Sequence, residues 1–166
     1  LQEPSTQNTP EIFMKLSEKL ASLNISLPTL SGPFGSYVPV KRVGNLVFVS
    51  GQLPMKDGKL MAAGQVPSKC SIEDAKAAAK QCVINGLAAV NSAIPGGVDA
   101  IAQAVRLGAF VSSDVGFTQQ PAIANGASDF LIELLGDAGR HVRAAVGTNT
   151  LPLDAAVEIE FTFEVK

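Results

Sequence analysis

The sequence predicts an α+β domain, a mixed β-sheet with two helices packed on one of its faces. Three observations carry this. Residues 71–93 repeat apolar side chains at helical spacing. Residues 156–165 alternate apolar and polar side chains with the period of a strand. The segments between them switch between the same two patterns. The chain has 166 residues, 46% hydrophobic and 17% charged, enough to bury the core of one domain without staples.

Taken in order, residues 1–9 are polar and carry no periodic pattern. Residues 10–23 place Ile12, Leu16, Leu20 and Leu23 at helical spacing after Thr9–Pro10, which predicts a short amphipathic helix. The expected organisation is an N-terminal extension over 1–30 and a domain over 31–166. Residues 37–52 read as a hairpin turning at Gly44–Asn45, with LVFVS as its second strand. A turn follows at Asp57–Gly58, with a minor strand in KLMAAG. Residues 71–93 form a helix capped by Ser71, with Asp74 in a capping-box position, and ended by Pro95–Gly96–Gly97.

Residues 101–113 alternate. Val105, Leu107, Ala109 and Val111 face one way; Arg106, Gly108, Phe110 and Ser112 face the other. Residues 118–135 form a second helix stopped at Gly136. Residues 141–147 predict a strand with Val142, Ala144 and Val146 on the core face. In residues 156–165, Val157, Ile159, Phe161, Phe163 and Val165 share one face, and Glu158, Glu160, Thr162 and Glu164 the other. The expected order is hairpin, helix, strand, helix, hairpin.

Several function classes are disfavoured. The net charge is −2, and the aromatics are eight Phe, one Tyr and no Trp, so a nucleic-acid partner is not expected. Cys70 and Cys82 fall on one predicted helix and cannot bridge each other, which fits a reducing, cytoplasmic setting. One His and two unclustered Cys predict no metal site. No apolar run approaches the ~20 residues of a membrane span. The chain begins at Leu1, so a removed targeting segment stays open. Ser50 lies in VSGQ rather than a G-x-S-x-G elbow, and there is no Gly-rich phosphate loop.

The sheet face turned away from the helices is expected to carry Ser50, Arg106, Ser112, Arg143, Glu158 and Glu160. If residues 141–147 and 156–165 pair as a hairpin, Arg143 and Glu158 share that face. The guanidinium can hold a carboxylate bidentately and the Glu can move a proton to or from water. The plain alternative is a cross-strand salt bridge, which such pairs more often are. His141 reads as a surface residue rather than a base. Cys82 belongs to the apolar helix stripe. Asn125, beside Gly126 in mid-helix, is either exposed or part of a site.

GSY (Gly35–Tyr37), VGNLVFVSGQLP (Val43–Pro54), NGLAAV (Asn85–Val90), FVSS (Phe110–Ser113), the helix with Asn125 and HVRAAVGTNTLPLDAAVEIE (His141–Glu160) occur together in this order. Over about residues 33–166 they resemble the YjgF-type reactive-intermediate deaminase family, also labelled endoribonuclease L-PSP. The resemblance implies a chorismate-mutase-like fold and a homotrimer with a central barrel and clefts between subunits. It implies hydrolysis of 2-imino or enamine acids to 2-oxo acids and ammonia, with no cofactor. Arg143 falls on the family's carboxylate-binding position and Glu158 on its water-activating acid. Tyr37, Ser50, Gly51, Asn125 and Ala145 fall on substrate-binding positions. Ala145 stands where the deaminating branch commonly has Cys, a change that backbone contacts survive and a thiol role does not. The N-terminal helix, the loop before Tyr37 and the GDAGRH segment are longer than in the compact branch, and Arg140 is a neighbouring alternative to Arg143. A non-catalytic metabolite-binding or chaperone-like member of the same fold, and a ribonuclease, are the competing functions.

Overall fold

A computed structural model of the chain describes residues 14–30 and 35–166. Helix α1 spans Leu16–Ser22, α2 Ile72–Ala93 and α3 Gln120–Leu135. The strands are β1 Val40–Val43, β2 Leu46–Gln52, β3 Met55–Lys56, β4 Lys59–Leu60, β5 Ile101–Ser112, β6 Val142–Thr148 and β7 Val157–Val165. Five of them form one sheet in the order β1-β2-β7-β5-β6, and β3 and β4 pair separately.

Local chemistry explains the elements. Gly44, at positive φ in the first position of a two-residue loop, lets β1 turn into β2. Asp57 and Gly58 both adopt positive φ in the small β3–β4 turn. Ser71 Oγ accepts the backbone N–H of Asp74 at 3.0 Å and so starts α2. Of the predicted N-terminal helix, Leu16 and Leu20 are buried, whereas Ile12 lies outside the described residues. Ser17 anchors α1 to the domain, its backbone N–H and hydroxyl donating to the Asp99 carboxylate at 2.8 and 2.7 Å.

The core lies between the sheet and α2 and α3. Val47, Val49, Leu107, Ala109, Val111 and the odd-numbered residues of β7 are all buried on that side. Two close approaches set the spacing. A Cβ at Gly86 would run into the ring of Phe161, so α2 can lie directly on the sheet only at a glycine. A Cβ at Gly126 would overlap the Lys76 carbonyl, where α3 crosses α2. That crossing explains the Asn125–Gly126 pair in mid-helix, which local propensity disfavours.

The expected terminal hairpin does not form. β6 pairs with β5 in parallel, and β5 separates it from β7. The physical reason is the α3 crossover, which returns the chain to the same end of the sheet and therefore delivers a parallel neighbour. Residues 149–156 then pass across the end of β5 to begin β7. This reverses the predicted faces of β6. Arg106 pairs with Val142, Leu107 with Arg143 and Phe110 with Val146. Val142, Ala144 and Val146 thus share the open face with Arg106 and Phe110, and Val142 and Val146 are exposed. Arg143 and Ala145 share the helix side with buried Leu107 and Ala109.

Replacing Gly126 with Ala should destabilise the fold by about 2–3 kcal/mol through overpacking against a backbone that cannot yield. Urea unfolding should show a lower midpoint with an unchanged slope.

Candidate active site

Two groups of polar side chains stand out, on opposite faces of the sheet. The first gathers at the edge strand β6. Arg143 rises on the helix side next to α3, where Asn125 and Ser128 are three residues apart and so share a helix face. Arg143 Nη1 donates to Asn125 Oδ1 at 2.7 Å and to Ser128 Oγ at 3.1 Å. Among the described residues no carboxylate pairs with Arg143. Its Nε–H and Nη2–H edge therefore remains open, and this edge matches the two oxygens of a carboxylate. Ala145, next along the same side of β6, is half-buried against the core. Arg140 lies apart in the preceding turn, paired with Asp137 at 3.3 Å.

The second group lies on the open face. Glu158 projects there from β7, the central strand, and its carboxylate occupies the space left by the missing side chain of Gly51. A Cβ at Gly51 would overlap Glu158 Oε1. The β2–β7 register shifts between Val49 and Gln52, so this approach coincides with a bulge. Ser50 Oγ donates to the Val38 carbonyl at 2.8 Å and so ties down the backbone beside exposed Tyr37. Tyr37, Ser50, Gly51 and Glu158 thus belong to the β1–β2 end of the molecule, and Asn125, Arg143 and Ala145 to the β6 edge.

Arg143 and Glu158 are consequently not neighbours within one chain, which corrects the expectation that they share a face. The arginine that does stand on the open face is Arg106, whose Nη1 meets Glu160 Oε1 at 2.6 Å. Gly108 makes room for that pair. Glu158 has no cationic partner among the described residues. Partial burial first, and the Glu160 carboxylate second, hold its acid above the usual carboxylate range. Ser112, also on this face, is fully buried, and its hydroxyl has no partner among the described residues. No cluster of three or more His, Cys, Asp or Glu among the described residues is arranged to hold a metal ion.

Two concavities of the chain hold neither Arg143 nor Glu158. One, of about 340 Å³, lies on the open face along Lys41, Phe48, Ser50, Arg106 and Glu160. The other, of about 330 Å³, lies outside α2 between Ile25, Met61, Lys80 and Glu133. Sequence reading missed one pair at the Arg143 group, Ser128 and His141. They are 13 residues apart, and Ser128 Oγ lies 2.9 Å from His141 Nε2. Only their helix-to-strand proximity reveals them. No helix of the described residues is long and apolar enough to cross a membrane.

The fold agrees with comparison to known proteins. The family described as "YjgF/chorismate mutase-like, putative endoribonuclease" matches residues 17–164. The chain belongs to this family. It is 36% identical over 152 residues to protein TCP17 of Trypanosoma cruzi, covering 91% of this chain and 94% of that one. It superposes on the crystal structure of Atu1372, a protein of unknown function from Agrobacterium tumefaciens, with a TM-score of 0.82. The two are 39% identical, over 90% of this chain and 91% of that one. A more distant match, at TM-score 0.57 and 25% identity, is E. coli TdcF with bound serine, over 81% of this chain and 91% of that one.

The raised pKa of Glu158 fixes the sign of a stability effect. Above the unfolded pKa of about 4.3, the native state holds the Glu158 proton more tightly than the unfolded chain does. Stability is therefore lost as pH rises from there through the folded pKa. Glu158→Gln should raise the thermal midpoint at pH 7, and the gain should vanish near pH 4.

Proposed function

We propose that the protein hydrolyses reactive 2-imino or enamine acids to 2-oxo acids and ammonia, in a cleft completed by a second copy of the chain within a homotrimer. The observation that carries this reading is the division of the polar groups. Among the described residues, an arginine with no carboxylate partner, pinned by Asn125, sits on one face, and a half-buried glutamate with no cationic partner sits on the other. One chain cannot bring them to one substrate, but a second copy can. The open face supports association. Val43, Leu46, Phe48, Val142 and Val146 all present apolar surface there, more than a sheet face bathed in water would favour.

In this reading the Nε and Nη2 edge of Arg143 binds the substrate carboxylate, and Asn125 holds the guanidinium. Glu158 of the neighbouring copy takes a proton from water as the water oxygen adds to the imine carbon. Nitrogen receives that proton to give the carbinolamine. The carbinolamine's hydroxyl proton then passes through Glu158 to nitrogen as the C–N bond breaks, leaving the 2-oxo carbonyl and ammonia. An enamine first takes a proton on carbon to become the imine. A carboxyl group whose pKa is raised suits both transfers. Tyr37, Ser50, Gly51 and Ala145 line the cleft. The chemistry requires no thiol at position 145. The serine held by TdcF is an amino acid with the carboxylate this site would recognise. A ribonuclease reading is poorly supported, because Glu158, Glu160 and Glu164 would repel a phosphate backbone.

Release of 2-oxo acid from imino acids freshly generated from alanine, leucine and glutamate tests the reaction. Arg143→Ala should lower kcat/KM by about 10²-fold, the loss of a charged bidentate contact. Glu158→Gln should lower kcat by about 10²–10⁴-fold. Arg143-dependent binding without any turnover would instead identify a non-catalytic carboxylate binder.

Mixed oligomers test the shared cleft. The Arg143→Ala copy retains Glu158, and the Glu158→Gln copy retains Arg143. Co-refolding the two inactive variants should restore part of the activity, and no recovery would place the whole site in one chain.

A further inference from the structure

We infer that Ser128, His141 and the Gly139 carbonyl form a positioning relay that fixes the guanidinium of Arg143. The inference deepens the proposed reading and rests on it for its catalytic consequence. The relay's own geometry stands independently.

The directions of its hydrogen bonds follow from one end. His141 Nδ1 lies 2.6 Å from the Gly139 carbonyl, which can only accept, so Nδ1 carries the hydrogen. In the neutral ring Nε2 is then an acceptor. Ser128 Oγ, 2.9 Å away, donates its hydrogen to Nε2. That leaves the Ser128 oxygen lone pairs for Arg143 Nη1, which donates to them at 3.1 Å. Every member has one consistent role, and no donor faces a donor.

The relay settles two degrees of freedom. Nη1 carries two N–H bonds in the guanidinium plane, and Asn125 and Ser128 take one each. Two in-plane acceptors fix both the position of the head group and the tilt of its plane, whereas Asn125 alone would leave the tilt free. Arg143 needs this constraint because it is exposed on an edge strand, where its long side chain otherwise keeps its rotamer freedom. A helical serine also has a competing acceptor, the carbonyl four residues back, here that of Ala124. His141 draws the hydroxyl away from it.

The far end of the relay is rigid. Gly139 is buried, and a Cβ there would overlap the Leu131 carbonyl, so the turn Gly136–Gly139 is pressed onto the α3 backbone. This gives the GDAGRH segment a task. It supplies both the carbonyl that orients His141 and His141 itself, next to the helix that carries Ser128 and Asn125.

The test reads Arg143 directly. The arginines are Arg42, Arg106, Arg140 and Arg143, so the side-chain Nε–Hε NMR spectrum is sparse, and Arg143→Lys assigns the signal. ¹⁵N relaxation should report an Arg143 Nε–Hε order parameter of about 0.8 in wild type. It should fall below about 0.6 in Ser128→Ala. His141→Leu should loosen it in part, and His141→Gln, which keeps a polar acceptor, should restore it. Backbone spectra of each variant report that the fold is intact. In the imino-acid assay Ser128→Ala should raise KM about tenfold with kcat within about twofold, the mark of weakened carboxylate binding rather than lost chemistry. An Arg143 signal as rigid in Ser128→Ala as in wild type would overturn the relay. Absence of turnover in wild type would count against the proposed reaction alone, because the relaxation result stands without it.

Discussion

The parallel register of β6 on β5 is the constraint on which the rest of this molecule depends. Leu107 opposite Arg143 places the guanidinium on the helix side, beside α3. A slip of one residue would send Arg143 to the open face and put Val142 and Ala144 against α3. Helix α3 holds the register from above. Gly126 lets it rest on α2, and its Asn125 and Ser128 meet Arg143 on the adjoining strand. The same packing that closes the core thus orients the arginine.

The central strand governs the other group. β7 is bonded on both sides by antiparallel partners, and its odd-numbered residues are buried under α2. Its even-numbered residues, Glu158 and Glu160 among them, must therefore face away from the helices. Glu160 is answered by Arg106. Among the described residues Glu158 has no such partner, and it lies over Gly51, where a bulge in β2 admits it. An acid held half-buried beside another acid keeps its proton longer than one in water. Its placement therefore creates a chemical property as well as a position.

Much of this was legible in the sequence because it is local. The Ser71 cap, the apolar stripe of α2, the Gly44–Asn45 turn and the strict alternation of β7 each declare themselves within a few residues. The order of strands in the sheet does not. Val142, Ala144 and Val146 alternate as a core face would, yet they belong to an exposed apolar face. Period two says that alternate residues share a side and leaves open which side it is. The resemblance to a known family singled out Arg143, Asn125 and Glu158 without their geometry. The contact of Ser128 with His141 joins a helix to the start of a strand and leaves no periodic trace.

In the proposed reading, a working site needs two copies of the chain. Specific activity measured across a dilution series, with sedimentation at each concentration, tests this most directly. Activity per chain should fall in step with dissociation and be absent from the monomer. A monomer with full activity per chain would contradict it, since Arg143 and Glu158 of one copy lie on opposite faces of the same sheet.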